Sequence, residues 1–254
     1  NYEAFTYLNA EELGRHTGGF TPFSYEITDK LKDGKNTLVV LVDNTRQLKA
    51  IPTIMRDWWN YGGLTRRVML IEEEETFIES YKVQLEKGSM KTISGWVQLD
   101  GSKAEQTVTV KIPEAGVEVS VETDETGYAA FEFDANLTLW SPENPYLYDV
   151  ELHAETDSIV DRIGFRSIEV KGRDILLNGE PLFVRGISIH EEAPIRNGRA
   201  FSRGDAHTLL AWAKELNCNF VRLAHYPHNE NMVRMADEMG LLVWSEIPLY
   251  WAID

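Results

Sequence analysis

Two histidines occupy positions where side chains of parallel α/β proteins commonly meet a ligand. His190 follows the apolar run 181–187, and His225 follows the run 219–223. Side chains at the carboxyl ends of parallel strands gather at one edge of the sheet. A neutral imidazole there can donate a hydrogen bond to a hydroxyl group of a ligand. A lone histidine is more often a structural residue with satisfied hydrogen bonds, so the spacing alone leaves both roles open.

Charged and aromatic residues flank the same runs. Arg222 lies at the end of the second run, where its guanidinium can hold a carboxylate in a fixed bidentate geometry. Glu246 follows a third apolar run, 241–244, and is a plausible partner for Arg222. An ordinary ion pair is the alternative role for this arginine. Tyr250 and Trp251 come shortly afterwards, where a loop would open after the third strand.

Asp57 is the candidate polar residue in the first part of the chain. It precedes Trp58 and Trp59, and a Gly62-Gly63 pair follows. An aspartate in this setting can cap a turn through its own backbone. Its carboxylate can alternatively face a ligand beside the aromatic rings. We expect at least one of the two tryptophans to be buried in a core rather than to form a stacking surface.

The part of the chain after residue 173 has the pattern strand–helix–strand. Apolar side chains recur at helical spacing in residues 205–216 and 229–239, with Asp205 near the first start and Gly240 after the second end. The predicted buried faces consist of Leu209, Leu210, Ala213 and Leu216, and of Met232, Met235, Ala236 and Met239. Buried apolar strands that alternate with amphipathic helices indicate a parallel sheet.

The part before residue 173 is typical of short β-strands separated by turn residues. The segments predicted as strands include 38–42, 67–71, 107–112, 117–121, 129–133, 147–153 and 168–170, the first of them buried. Spacing of about 8–12 residues is typical of antiparallel sandwiches. Residues 77–172 hold about seven candidate strands, the number in one immunoglobulin-like sandwich. Residues 1–75 hold too few strands to close a sandwich of their own.

Composition and charge exclude several classes of partner. The chain has 254 residues and a net charge of −16, so a polyanion such as nucleic acid would be repelled. No apolar run approaches the roughly 20 residues of a membrane helix. Phosphate-loop, dinucleotide-binding, HExxH and CxxC motifs are missing. The one cysteine, Cys218, can form neither an internal disulfide nor a zinc cluster, and we expect a buried inert thiol.

Several motifs follow one another along nearly the whole chain. They are His16-Thr17-Gly18-Gly19-Phe20-Thr21-Pro22-Phe23, Asp57-Trp58-Trp59-Asn60-Tyr61-Gly62-Gly63-Leu64-Thr65-Arg66, Leu139-Trp140-Ser141-Pro142-Glu143-Asn144-Pro145-Tyr146-Leu147-Tyr148, Ile163-Gly164-Phe165-Arg166, Leu177-Asn178-Gly179-Glu180-Pro181, His190 and Val221-Arg222-Leu223-Ala224-His225-Tyr226-Pro227. In this order they resemble glycoside hydrolase family 2, the family of β-galactosidases, β-glucuronidases and β-mannosidases.

The resemblance implies a multidomain fold that is mainly β and then α/β. We expect the C-terminal part of a sugar-binding jelly-roll β-sandwich at 1–75, an immunoglobulin-like β-sandwich at 76–172, and the first three strands of a (β/α)8 TIM barrel at 173–254. It also implies that the chain is an internal part of a retaining exo-β-glycosidase that hydrolyses terminal β-galactoside or β-glucuronide residues. A homo-oligomer is compatible with this resemblance for the full-length protein.

Residues singled out above match functional positions of the family. The resemblance implies that Asp57, His190 and His225 bind the sugar substrate. It implies that Arg222 orients the nucleophilic glutamate. Further residues expected to line the pocket are Glu246, Tyr250 and Trp251, although the family carboxylate that Glu246 matches is mainly structural. Arg199, near the first strand–helix loop, is expected to form a structural salt bridge.

The two glutamates that perform the chemistry in this family match no position in the chain. Retaining hydrolysis needs two carboxyl groups about 5–5.5 Å apart. In the family they follow barrel strands four and seven, whereas three strands are predicted here. Asn229-Glu230 begins a helix and has no strand before it, so we reject this pair as the acid/base. We therefore expect no turnover by this chain alone.

No cofactor is predicted. Some β-galactosidases of the family carry magnesium ligands shortly after the third strand, but residues 247–251 supply none, so magnesium is not supported. The sugar stays open because the later barrel loops would decide it, and the compartment stays open because an export signal would lie upstream. The alternative function is a non-catalytic carbohydrate-binding or interaction module on the same scaffold. Neither nucleic acid nor a membrane is an expected partner.

Overall fold

The computed structural model describes residues 2–249, which divide into two units. The first unit combines the residues up to Met69, Arg185–Ala236 and the segment that begins at Leu242. The second unit consists of Leu70–Val184 and Asp237–Leu241. The first unit therefore joins segments that lie far apart in the sequence.

The first segment forms an antiparallel three-stranded sheet in the order β2–β1–β3. Its strands are β1 (Glu3–Leu8), β2 (Glu11–Thr17) and β3 (Leu38–Asp43). The predicted strand at 38–42 is confirmed, but its predicted burial is wrong. Leu38, Val39 and Leu41 are each at least half exposed. Side chains of a strand point to the two faces of the sheet and are buried only where another layer packs on a face, and no residue of β3 is fully buried.

The prediction of a strand at 67–71 is also wrong. Val68, Met69, Leu70 and Ile71 are at least 60 % exposed and lie outside every strand of the described residues. A β-type sequence becomes a strand only when another backbone supplies hydrogen-bonding partners. Within residues 2–249, no strand pairs with this segment.

The second unit contains the immunoglobulin-like sandwich that the strand spacing predicts. Its strands are β4 (Thr76–Leu85), β5 (Thr92–Gly101), β6 (Thr107–Ile112), β7 (Val117–Glu122), β8 (Tyr128–Asp134), β9 (Tyr148–His153) and β10 (Ser158–Ile163). One sheet has the order β10–β9–β6–β7 and the other β4–β5–β8. Alternate side chains enter one core, whose fully buried members include Ile93, Val97, Val108, Val110, Ile112, Val150 and Leu152.

A small antiparallel sheet follows the sandwich. It consists of β11 (Ile168–Lys171), β12 (Asp174–Leu177) and β13 (Glu180–Pro181). Asn178 and Gly179 both have positive φ, as a two-residue hairpin turn requires. The predicted β run at 181–187 is therefore interrupted, because β13 ends at Pro181. The expected boundary at 172/173 falls in the turn between β11 and β12, and the three-domain division stays a prediction.

The first unit continues with the predicted parallel sheet. Its elements are β14 (Gly186–Ile189), α1 (Arg203–Glu215), β15 (Phe220–Leu223), α2 (Glu230–Glu238) and β16 (Leu242–Ser245). The strand order is β14–β15–β16, with both pairs parallel. Ser202 and Asp205 form a capping box at the start of α1.

The burial predicted for Leu216 is wrong, because this residue caps the C-terminal end of α1 and is exposed. Cys218 is buried, as expected.

Neither helix of the described residues is long and apolar enough to cross a membrane.

Within the second unit, Trp140 contacts the segment 237–241. The ring is fully buried, and its Nε1 donates a 2.9 Å hydrogen bond to the carbonyl oxygen of Asp237. The guanidinium of Arg166 lies 4.4 Å from the ring centroid. Gly164 packs against the indole so closely that a Cβ on this residue would lie 2.6 Å from Trp140 Cδ1.

We expect Gly164→Ala to lower the free energy of unfolding by about 2 kcal/mol, because the buried indole must move to admit the methyl group. Gly204→Ala is the matched control: its added Cβ meets no atom closer than 3.8 Å, and it lies in α1. The control should be neutral or stabilising by up to about 1 kcal/mol. Urea unfolding of both variants measures the difference, and equal effects would contradict the packing argument.

Candidate functional site

Three strand ends place polar side chains at one edge of the parallel sheet. His190 directly follows β14, His225 comes two residues after β15, and Glu246 directly follows β16. The rings of His190 and His225 lie edge to face, with centroids 5.2 Å apart. The structure therefore brings together side chains that lie 21 to 56 residues apart in the sequence.

Arg222, Glu246 and His225 form a hydrogen-bonded cluster. Arg222 donates from Nε to Glu246 Oε1 at 2.6 Å and from Nη2 to Oε2 at 3.1 Å, a bidentate pair with the partner that the sequence makes plausible. His225 Nδ1 lies 3.2 Å from Glu246 Oε2. Burial by itself would raise the pKa of Glu246, but hydrogen bonds from Arg222 and His225 outweigh it and lower the pKa. The ionised carboxylate thus fixes both partners.

Asp57 and His190 line one pocket of about 440 Å³. The other lining residues are Arg46, Trp58, Trp59 and Glu192. Trp58 is buried and packs 5.4 Å from the Tyr226 ring and 5.8 Å from the His225 ring, centroid to centroid. Trp59 is 71 % exposed. One tryptophan therefore belongs to the core, as expected, and the other presents its ring at the pocket.

His190 is held in its neutral form. Burial lowers the pKa of its imidazole, and the neighbouring His225 lowers it further. Its Nδ1 lies 3.3 Å from the hydroxyl of Tyr226, which is completely buried. Burial raises the pKa of Tyr226 to about 12, so the phenol keeps its proton. A neutral imidazole beside a protonated phenol offers hydrogen bonds to an uncharged hydroxyl group without adding charge.

A buried ion-pair cluster behind the pocket was not found by sequence reasoning. Glu191 has no exposed surface, and Arg66 Nη2 lies 3.2 and 3.1 Å from its two carboxylate oxygens. Arg199 Nε lies 3.6 Å from Glu191 Oε2, the structural salt bridge expected for this arginine. The backbone N–H of Asn229 also donates to Glu191. In the sequence, this cluster is indicated by a carboxylate, Glu191, that directly follows the histidine at the end of a predicted strand.

Aromatic rings enclose the buried arginine. The guanidinium of Arg199 lies 4.9 Å from the Phe20 ring centroid and 4.7 Å from the Tyr226 ring centroid. Phe20 and Tyr226 are stacked with centroids 4.4 Å apart. Tyr226 was also missed as a site residue, although it lies in a motif quoted above. Tyr250 and Trp251, expected to line the pocket, lie outside the described residues.

Residues 2–249 contain no group of three or more His, Cys, Asp or Glu side chains that could hold a metal ion.

His228 makes the first unit sensitive to acid. It stacks on Tyr226, its Nε2 contacts the Ala224 carbonyl oxygen at 2.9 Å, and burial lowers its pKa from 6.5 to about 4. The unfolded chain therefore binds the proton first. The free energy of unfolding should be highest above pH 6.5 and fall by roughly 3 kcal/mol as the pH drops to about 4.

Urea unfolding at pH 7.5, 6 and 4.5 measures this dependence. We expect His228→Gln to lower stability at pH 7.5 but to flatten the acid slope. His207, exposed on α1, supplies the control His207→Gln, which should keep the wild-type slope. An unchanged slope in His228→Gln would show that other groups cause the acid sensitivity.

Comparisons with known proteins agree with the motif order. Residues 75–166 match the profile described as "Glycosyl hydrolases family 2", and residues 168–250 match "Glycosyl hydrolases family 2, TIM barrel domain". A putative β-glucuronidase of Formosa agariphila is 32 % identical over 98 % of this chain. A β-galactosidase of Thermoanaerobacter pseudethanolicus is 34 % identical over 96 %. The chain covers 32 % and 35 % of these two relatives, about a third of their length.

Solved structures agree in fold. The apo structure of Bacteroides uniformis β-glucuronidase 3 is 30 % identical, with a TM-score of 0.83 over 98 % of this chain and 34 % of that one. The Ruminococcus gnavus β-glucuronidase in complex with uronic isofagomine is 28 % identical, with a TM-score of 0.81 over 97 % of this chain and 44 % of that one. The two family profiles together match most of the sequence, and relatives align with nearly all of it. The chain belongs to glycoside hydrolase family 2.

Proposed function

We propose that this chain builds part of the sugar pocket of a retaining exo-β-glycosidase that hydrolyses terminal β-glucuronide or β-galactoside residues. The observation that carries the proposal is that Asp57 and His190 line one pocket at the carboxyl edge of the parallel sheet. The names of the relatives, β-glucuronidases and β-galactosidases, support the same substrate class.

The proposed roles follow from the hydrogen-bonding groups of the side chains. The carboxylate of Asp57 accepts hydrogen bonds from sugar hydroxyls. The neutral imidazole of His190 and the ring of His225 exchange hydrogen bonds with further hydroxyls, and these bonds strengthen as charge develops on the sugar ring. Arg222 orients the nucleophilic glutamate, and Glu246 holds Arg222 in place. The exposed Trp59 ring offers an apolar face on which a pyranose can stack.

We infer that the acid/base and the nucleophile come from sequence outside this chain. Glu246 is occupied by Arg222 and His225, and Glu191 is completely buried. Neither carboxylate can therefore reach a substrate as it stands. We also infer that the sheet of residues 1–75 is the C-terminal part of a jelly roll, and we retain the domain division at 76–172 and 173–254.

Hydrolysis of p-nitrophenyl β-glucuronide and β-galactoside tests the proposal, with this chain and with the longer gene product that contains it. We expect activity in the longer protein alone. Turnover by the 254-residue chain would contradict the missing-carboxylate inference, and Asp57 and Glu192, which share the pocket, would be the residues to mutate. Sugar binding without turnover in both proteins would favour the non-catalytic carbohydrate-binding alternative.

In the longer protein, we expect Asp57→Asn and His190→Ala each to lower kcat/KM by about 10- to 100-fold, because each removes a hydrogen bond to the reacting sugar. Steady-state kinetics measure the loss. Asp33→Asn is the control, since Asp33 lies in an exposed turn before β3 and does not line the pocket. Wild-type kinetics in Asp57→Asn would remove Asp57 from the proposed site.

Arg46 supplies a test of the sugar class. It is the arginine of the pocket lining, and a guanidinium binds a uronate carboxylate in a way that a neutral galactose cannot use. If the substrate is a glucuronide, Arg46→Gln should lower kcat/KM for it by about 10-fold and leave galactoside hydrolysis unchanged. Lys49→Gln, in the exposed loop nearby, is the control. Equal losses on both sugars would show that Arg46 does not bind the carboxylate.

A further inference from the structure

Glu191 lies beside the pocket without being part of its lining. It directly follows His190, so its backbone is continuous with one wall. Its side chain is completely buried and accepts a hydrogen bond from the backbone N–H of Asn229. Asn229 is the last residue of the 225–229 segment, which begins with His225. The carboxylate therefore contacts both segments that carry the candidate histidines.

Arg66 extends this connection to the first segment of the chain. Its Nη2 donates to both oxygens of Glu191 and, at 2.5 Å, to the carbonyl oxygen of Pro227. Its Nη1 donates at 2.7 Å to the carbonyl oxygen of Phe20. One guanidinium thus binds the carboxylate and the backbones of two other segments. A planar group with fixed donor directions sets the geometry of all its partners.

We propose that the buried Glu191–Arg66 ion pair is a positioning device that fixes His190 and the 225–229 segment relative to each other, and so sets the distance between the two candidate histidines, whose rings lie 5.2 Å apart. The inference rests on the proposed function. A buried ion pair is weak as a stabilising element, because desolvation of both charges offsets their attraction. The ion pair makes directional hydrogen bonds, which an apolar pair of the same volume could not make.

Donors surround the carboxylate of Glu191. Arg66 faces both oxygens, the Asn229 N–H faces Oε1, and Arg199 faces Oε2 at 3.6 Å. A glutamine has nearly the same volume but carries an NH2 group in place of one oxygen. In either orientation of the amide, this group meets a donor. Glu191→Gln therefore disturbs the geometry of the pair without opening a cavity.

Kinetics of the longer protein test the proposal on the hydrolysed sugar. After correction for the fraction of folded enzyme, we expect Glu191→Gln to raise KM at least 5-fold and to change the pH profile of kcat/KM. Arg66→Gln should have a similar effect, and the double variant should be no worse than either single variant. Arg66→Lys, which keeps the charge but loses the planar donor geometry, should lie between Arg66→Gln and wild type.

Glu230→Gln is the matched control. Glu230 pairs with Arg234 at 2.5 Å on the exposed face of α2, so this variant loses an ion pair of the same type away from the pocket. We expect wild-type kinetics. A merely structural role for Glu191 would lower thermal stability and leave KM and the pH profile of the folded enzyme unchanged, which would overturn the proposal.

Histidine NMR of the 254-residue chain gives a measurement that does not depend on activity. In Glu191→Gln we expect the ring resonances of His190 and His225 to shift, while those of His153, in the sandwich, stay in place. The Arg66→Lys variant repeats the measurement if Glu191→Gln does not fold. If the longer protein hydrolyses neither sugar, the proposed function fails while these spectra still test the ion pair. Unchanged His190 and His225 resonances in the folded variants would refute the positioning role.

Discussion

Parallel pairing of β14, β15 and β16 is the constraint on which the candidate site depends. In this register Ile187 is opposite Val221, and Val221 is opposite Val243, so the three strands end together. Because they run in the same direction, the residues after them emerge at a single edge. The buried faces of α1 and α2 supply the apolar cover that such short strands need. Without this pairing, His190, His225 and Glu246 would share no surface.

The site combines ionised and neutral groups, and hydrogen bonding and burial determine the protonation state of each group. Glu246 stays ionised because two hydrogen-bond donors hold it, whereas burial keeps His190 and Tyr226 uncharged. The outcome is a set of hydrogen-bonding groups for hydroxyls beside carboxylates that already have partners. Uncharged donors and acceptors of this kind can exchange hydrogen bonds with hydroxyl groups, which agrees with the sugar ligand proposed above.

Residues from the beginning of the chain complete the first unit. Trp58 and Phe20 pack on Tyr226, and Arg66 reaches Glu191, which is 125 residues away in the sequence. These contacts explain why Asp57 lies beside His190 in one pocket. A buried charge is tolerated only when it is paired and hydrogen-bonded. The cluster around Glu191 therefore requires all the contributing segments to be present together.

Local sequence patterns determined most of the elements of this protein. Alternating apolar residues predicted β6, β7, β8 and β9, because each side chain of a strand needs only its neighbours to define its face. Helical spacing likewise predicted α1 and α2, and the ordered motifs predicted the family and the candidate histidines. These features depend on residues close in sequence, which a single chain displays directly.

Tertiary structure alone decided the features that depend on distant partners. The segment 67–71 has the composition of a strand but no pairing strand within the described residues, and β3 is more exposed than its apolar sequence predicts. The roles of Glu191 and Arg66 could not be predicted, because a lone Glu or Arg in a sequence is indistinguishable from a solvated one. Its partner, burial and hydrogen bonds exist only when segments far apart in the chain share one core.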